Sequence, residues 1–241
     1  MRLGQLLFTQ GFGTRRECGA LVASGQVTIA GVPCDDVDRE LAPEGLCFAV
    51  RGQAWAYHEH ALLVMNKAAG FECSQKPRHH PSVYSLLPAP LRNRGVQAIG
   101  RLDEDTTGVL LFSDDGSLIH RLTSPRHHVP KVYEVGCKHP VDARQIDALL
   151  GGVLLHDENE TIRAAACEAT GESALRMTLI QGKYHQVKRM VAAVGNRVSS
   201  LHRSAFGEVR VEGLAPGAWR WLPGDLLDLP AAAISGMPLG T

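Results

Sequence analysis

Gly100-Arg101-Leu102-Asp103-Glu104-Asp105-Thr106-Thr107-Gly108 runs directly into Val109-Leu110-Leu111-Phe112. An acid-rich polar loop belongs at a surface or in a cleft, and the short apolar run behind it reads as a buried strand. Such a strand would hold the Asp103 carboxylate still, with Arg101 two positions before it. That suits a carboxylate that must stay ionised and aimed. Turn chemistry alone also accounts for Asp, Thr and Gly in a loop, so composition here does not establish catalysis. Asp103, Asp105, Thr107, Gly108 and Asp114 fall near the oxygen positions of a calcium loop. Asp114 in place of the final Glu opposes that reading, as does the absence of helix periodicity before the loop. No metal site is expected.

Working outward, 241 residues allow one or two domains. Lys and Arg number 25 and so do Asp and Glu, which argues against a generic polyanion binder. The charge is uneven, however. Between Ser173 and Gly207 lie Arg176, Lys183, Lys188, Arg189, Arg197 and Arg203, with no acid. A locally basic face on a neutral chain fits a phosphate backbone. Six cysteines without a CxxC pair form neither a zinc cluster nor a disulfide framework and suit a reducing cytoplasm. No signal peptide is expected, and no apolar run approaches the roughly 20 residues that span a bilayer.

Residues 1–50 read as a small separate module. Leu3, Leu6 and Leu7 have helical spacing, and Thr14 with Glu17 is a capping-box pattern opening a second helix that ends near Gly25. Val27-Thr28-Ile29 alternates as a strand. Arg15 and Arg16 fall in the first turn of the second helix, where the helix dipole disfavours cations. Residues 51–61 read as a linker, residues 62–230 as the main domain and 231–241 as a tail.

Within the main domain, Leu62–Met65 reads as a strand and Asn66–Gly70 as a turn. The Pro- and Arg-containing stretch 75–95 reads as a basic connection. Helices are expected at 117–122, 141–150 and 185–194. Strands are expected at 129–135, 153–155, 167–169, 175–180 and 198–201, with His202 and Arg203 at the last strand's end, and shorter ones within 208–229. Strand runs broken by few helices indicate α+β. Gln181-Gly182-Lys183-Tyr184-His185-Gln186-Val187-Lys188-Arg189-Met190 is a second dense motif, a turn leading into a basic helix start.

The leading helix, turn, Arg-bearing helix and Gly-x-Val-x-Ile-x-Gly pattern resembles the αL-type RNA-binding domain of a small-subunit ribosomal protein. Gly4 and Gln5 depart from it, and residues 1–60 carry five Lys/Arg against seven Asp/Glu. The loop at 100–116, Asn66-Lys67…Gly70, Ser124–Tyr133 and Gly182–Met190, in that order, resemble bacterial pseudouridine synthases acting on ribosomal RNA. The likeness is nearest to the enzymes that modify 16S RNA. Ala68 stands where that family usually has Pro.

The resemblance implies an α+β fold, with the αL-type domain followed by a mixed, mostly antiparallel catalytic sheet. It implies isomerisation of uridine to pseudouridine without a cofactor. Asp103 matches the essential aspartate, Tyr133 the tyrosine stacking on uracil, Lys188 the basic partner of the aspartate, and Arg101 the arginine that helps hold the nucleotide. The RNA contacts expected are Arg2, Arg15, Arg16, Arg126, His128, Lys131, Lys183, His185, Gln186 and Arg189. The implied partner is ribosomal RNA or a pre-ribosomal small-subunit particle, met by a monomer. Relatives acting on 23S RNA share these motifs, and a non-catalytic RNA-binding assembly protein is the remaining alternative. The target base would have to leave its stack, at a cost of a few kcal/mol. Phosphate contacts and about 1–3 kcal/mol of stacking can offset that.

Overall fold

A computed structural model describes residues 1–124, 129–155 and 158–223. Two compact units emerge. Met1–Ala61 with Leu87–Gln97 form one, and Leu62–Leu86 with the described residues from Ala98 onward form the other.

In the first unit, helix α1 (Leu3–Thr9) buries Leu3, Leu6 and Leu7, and α2 (Arg15–Ala23) buries Cys18, Leu21 and Val22. Thr14 caps α2 through a complete capping box with Glu17, worth on the order of 1 kcal/mol. Strands β1 (Val27–Ile29), β2 (Val32–Pro33), β3 (Cys47–Val50) and β4 (Gln53–Ala56) form a sheet in the order β2-β1-β3-β4. Phe12 meets Phe48 and Trp55 edge-on, with ring centroids 5.7 and 5.4 Å apart. The linker expected at 51–61 is therefore incorrect. β4 pairs in register with β3 from Val50↔Gln53 to Cys47↔Ala56, and Trp55 is buried in this unit's core. The stretch expected as one basic connection also divides. A 3-10 turn (Val83–Leu86) stays with the second unit, whereas α3 (Ala89–Asn93) folds with the first. Arg94 there donates to the Gln10 side chain and to the His58 and Glu59 carbonyls at 2.9–3.0 Å.

The second unit is built on strands β5 (Leu62–Lys67), β6 (Gln97–Ile99), β7 (Thr107–Ser113), β8 (Lys131–Cys137), β11 (Ala166–Gly171), β12 (Ala174–Leu179), β13 (Val198–Phe206) and β14 (Trp219–Trp221). Between β8 and β11 the chain adds a separate two-stranded ribbon, β9 (Val153–Leu154) and β10 (Thr161–Ile162). The main sheet runs β11-β12-β8-β13-β7-β5-β14, with β6 also on β7. Along that path every pairing is antiparallel except β13 with β7. The fold is thus α+β with a mixed, mostly antiparallel sheet.

Among the described residues three α-helices accompany the sheet: α4 (Gly116–Thr123), α5 (Ala143–Gly151) and α6 (Gln186–Ala193). Asp115 caps α4 by accepting from Ser117 and Leu118 N–H, and Leu118 and Leu122 pack onto Leu62, Val64, Val109 and Leu111. Burying each such side chain contributes about 1.5–3 kcal/mol. Capping-box partners Asp142 and Gln145 start α5.

Three further expectations shift. Asn66–Lys67 belongs to β5 and not to a turn, with Lys67 fully buried. His202 and Arg203 lie within β13, which continues to Phe206. The expected strand at 153–155 joins β10 and not the main sheet. Arg126, His128, residues 224–230 and the tail at 231–241 lie outside the described residues.

Candidate active site

The parallel junction at the middle of the sheet makes the site. β13 pairs with the start of β7 at only two positions, His202↔Thr107 and Arg203↔Gly108. Gly108 is required there. Its φ is +103°, and a Cβ would fall 2.2 Å from the Arg203 carbonyl oxygen. Beyond Gly108 the strands part, and the Arg203 Nε donates to the Val109 carbonyl at 2.7 Å in place of a ladder bond. The loop carrying Asp103 therefore enters the sheet where two strands are pressed together and then diverge.

That loop is pinned from below by a residue the sequence reading did not assign to the site. The Lys67 ammonium donates to the carbonyls of Ala68 (3.1 Å), Asp103 (2.9 Å), Glu104 (3.1 Å) and Thr106 (2.8 Å). Burial pushes its pKa down, and Cys73, Asp105, Glu104 and Asp103 oppose that fall. The Cys73 sulfur accepts the Leu102 N–H at 3.5 Å, and Gly70 N–H donates to Glu104 O at 2.8 Å. A buried lysine is unusual, and one that meets four backbone oxygens fixes their positions as a set.

Above the pinned backbone, the Asp103 carboxylate meets two basic groups. Lys188 Nζ lies 3.0 Å from Oδ2 and His185 Nε2 lies 3.1 Å from Oδ1. Lys188 also reaches Asp105, at 2.6 and 2.9 Å to its two oxygens. The ammonium thus bridges two carboxylates, and the sequence reading, which weighed Asp105 only as a calcium-loop position, did not pair it with Lys188. Burial alone would lower the Lys188 pKa, but the Asp105 and Asp103 hydrogen bonds raise it on balance. Burial likewise would raise Asp105, and the bond to Lys188 brings it below the usual value. Lys188 comes from the first turn of α6, and His185 immediately precedes that helix in a left-handed conformation with φ 48°.

Tyr133 is buried in β8 opposite Arg203 and Met177. It thus lies on the row that crosses β13 to Gly108, five residues past Asp103. Arg101 is exposed on the loop. Lys131 donates to Val129 O at 2.9 Å and sits over the Phe206 ring at 5.1 Å. Burial, then Arg203, pushes its pKa down to about 8.

The remaining expected RNA contacts are spread out. Lys183 pairs with Glu158, and Arg189 lies 3.9 Å from the same carboxylate. Gln186 does not present itself to a ligand: it is 5% exposed, and its amide oxygen accepts the Lys183 N–H at 2.9 Å, so it shapes its own turn. In the first unit, Arg2 pairs with Asp38 at 3.2 Å, Arg15 lies 4.7 Å over the Phe8 ring, and Arg16 is exposed. Among the described residues no group of three or more His, Cys, Asp or Glu is arranged to hold a metal, and no helix is long and apolar enough to cross a membrane.

Comparison with known proteins shows the family. Residues 61–193 match the RNA pseudouridylate synthase family. The chain is 40% identical over 234 residues to an uncharacterized RNA pseudouridine synthase of Bacillus subtilis, covering 95% of this chain and 98% of that protein. It is 38% identical over 222 residues to ribosomal small subunit pseudouridine synthase A of Escherichia coli, covering 91% and 95%. A crystal structure of a pseudouridylate synthase superimposes with a TM-score of 0.67 at 32% identity, covering 95% of this chain and 98% of the other. With its acid loop at the sheet's parallel junction and these likenesses along nearly its full length, the chain belongs to the RNA pseudouridylate synthase family.

Proposed function

We propose that this enzyme isomerises uridine to pseudouridine in ribosomal RNA, with 16S RNA or a small-subunit precursor particle as substrate and Asp103 as the reacting carboxylate. The observation that carries the reading is the Asp103 carboxylate, 3.0 Å from Lys188, on a loop whose backbone Lys67 holds at four oxygens. The choice of 16S RNA is supported by the small-subunit enzymes among the relatives.

In the reaction the N1–C1′ bond breaks, the base turns, and C5 bonds to C1′. The C5 proton leaves and N1 gains one, so the product is an isomer and no electrons are exchanged. Asp103 acts as an anion paired with Lys188; it adds to C1′ or to the ring and departs again as C5 bonds to C1′. Tyr133 stacks on the uracil and Arg101 holds the nucleotide swung out of its RNA. The leading unit, two helices followed by a small sheet, serves as an αL-type RNA-binding domain.

Tritium release from 16S and 23S transcripts carrying 5-tritiated uridine tests this. Wild type is expected to release tritium from 16S RNA, and Asp103→Asn to lose at least about a thousandfold in kcat with its melting temperature retained. Equal turnover by the two proteins would remove Asp103 from the chemistry. Release from 23S RNA alone would overturn the choice of substrate.

A further inference from the structure

Tyr184 is 76% exposed, the highest value among the exposed large hydrophobic side chains of the described residues. Its ring stacks on the His185 imidazole with centroids 3.8 Å apart and planes 17° from parallel. His185 in turn places Nε2 3.1 Å from the Asp103 carboxylate. One imidazole therefore separates the reacting acid from an aromatic face open to solvent.

The backbone holds this stack in an uncommon conformation. His185 has φ 48° and ψ 33°, a left-handed geometry that non-glycine residues seldom adopt. Strain of this kind persists where surrounding structure over-determines it, and it clusters at ligand sites. Here the determinants are visible. Lys183 N–H is held by Gln186, Arg189 donates to the Tyr184 carbonyl at 3.3 Å, and the Arg189 N–H donates to the His185 carbonyl at 2.9 Å. Lys183 and Arg189, which bracket the pair along the chain, both reach the Glu158 carboxylate. The Tyr184 ring is no part of the buried core.

We propose that the stacked Tyr184–His185 pair is a platform for the base neighbouring the target uridine in an unpaired stretch of RNA. The proposal rests on Asp103 being the reacting carboxylate. An aromatic face accepts any base, because every base has a π-face to stack. The platform thus favours single-stranded or looped RNA at the target, where a neighbouring base is free to leave its own stack.

The test uses a single-stranded oligouridine bearing one 2-aminopurine, whose fluorescence is quenched by stacking. Binding to wild type, Tyr184→Phe and Tyr184→Trp is expected to quench it, and Tyr184→Ala to abolish the quenching. On 16S RNA, Tyr184→Ala is expected to raise KM about tenfold while kcat stays within about twofold. Three results would overturn the platform: no quenching by wild type, quenching by Tyr184→Ala equal to wild type, or damage in Tyr184→Phe as large as in Tyr184→Ala. A fall in kcat with KM unchanged would also overturn it, since the ring would then act through Asp103. Absence of tritium release by wild type is a separate result that strikes the synthase reading, because the oligouridine measurement needs no turnover.

Discussion

The Asp103 loop and the arginines of the leading unit hold their charges in opposite ways. At the loop, two lysines are each tied to several partners. Lys67 meets four carbonyls, and Lys188 meets two carboxylates. On the leading unit, Arg15 and Arg16 stand exposed at the start of α2, and Arg2 shares an exposed pair with Asp38. Exposed pairs of that kind contribute little and are screened by salt. On the proposed function, the contrast follows from the task. A carboxylate that forms or stabilises a bond must be placed to a fraction of an ångström, and only buried hydrogen-bonding does that. Phosphate attraction is long-ranged and tolerates mobile side chains.

The largest effect expected from this contrast is that of Lys67. Lys67→Met would leave loop carbonyls without a donor in a buried place, where each orphaned group costs about 1–3 kcal/mol. A loss of roughly 3 kcal/mol would lower the melting temperature by about 6–12 °C. Calorimetry and tritium release should show stability and kcat falling together. If Lys67→Met melts like wild type, the loop is not held from beneath.

Lys188→Met comes next, with kcat expected to fall roughly 10²–10³-fold and Lys188→Arg retaining more. The same change has a signature in acid. Asp105 is held below its usual 3.8 by Lys188, so its contribution to stability is present above 3.8 and is lost as pH falls through the lower folded value. Without Lys188 that contribution should vanish, and melting temperatures of the two proteins measured from pH 5 down to pH 2 should converge.

A smaller effect concerns Lys131. With a pKa near 8, it loses its charge as pH rises past that value, so KM for RNA should climb above about pH 8 in wild type. Lys188, shifted upward, stays charged there and kcat should hold. Lys131→Met should lack the KM limb. Because the folded state disfavours charged Lys131, this residue's contribution to stability grows between about 8 and the ordinary 10.5.

The smallest effect belongs to the exposed arginines. Arg15→Ala with Arg16→Ala should raise KM a few-fold and leave kcat at saturating RNA in place. The slope of log binding constant against log salt should flatten by about 0.7 for each phosphate that is no longer neutralised. A fall in kcat instead would break the division between the two regions.

Much of the architecture could be read along the chain, because local patterns carry it. Thr14 and Glu17 announce the start of α2, and the apolar run after Gly108 announces β7. The helices expected at 117–122, 141–150 and 185–194 appear at 116–123, 143–151 and 186–193. β4 escaped because Gln53-Ala54-Trp55-Ala56 has weak alternation and relies on β3 for its pairing. Lys67 escaped for a different reason. A lysine after an apolar run looks like a strand's solvated end, and nothing local says that carbonyls 36 to 39 residues further on will surround it.

Residue order was enough to nominate Asp103, and the family resemblance added Lys188, since motif spacing and motif order are properties of neighbours along the chain. It could not say that Lys188 would bridge Asp105 as well, that Gln186 would turn inward, or that Tyr184 would stand open beside the acid. Those depend on which distant segments the parallel junction of β7 and β13 brings together. Packing in three dimensions assigns each polar group its partner, and burial then decides whether that group is a support, a reactant or a surface for RNA.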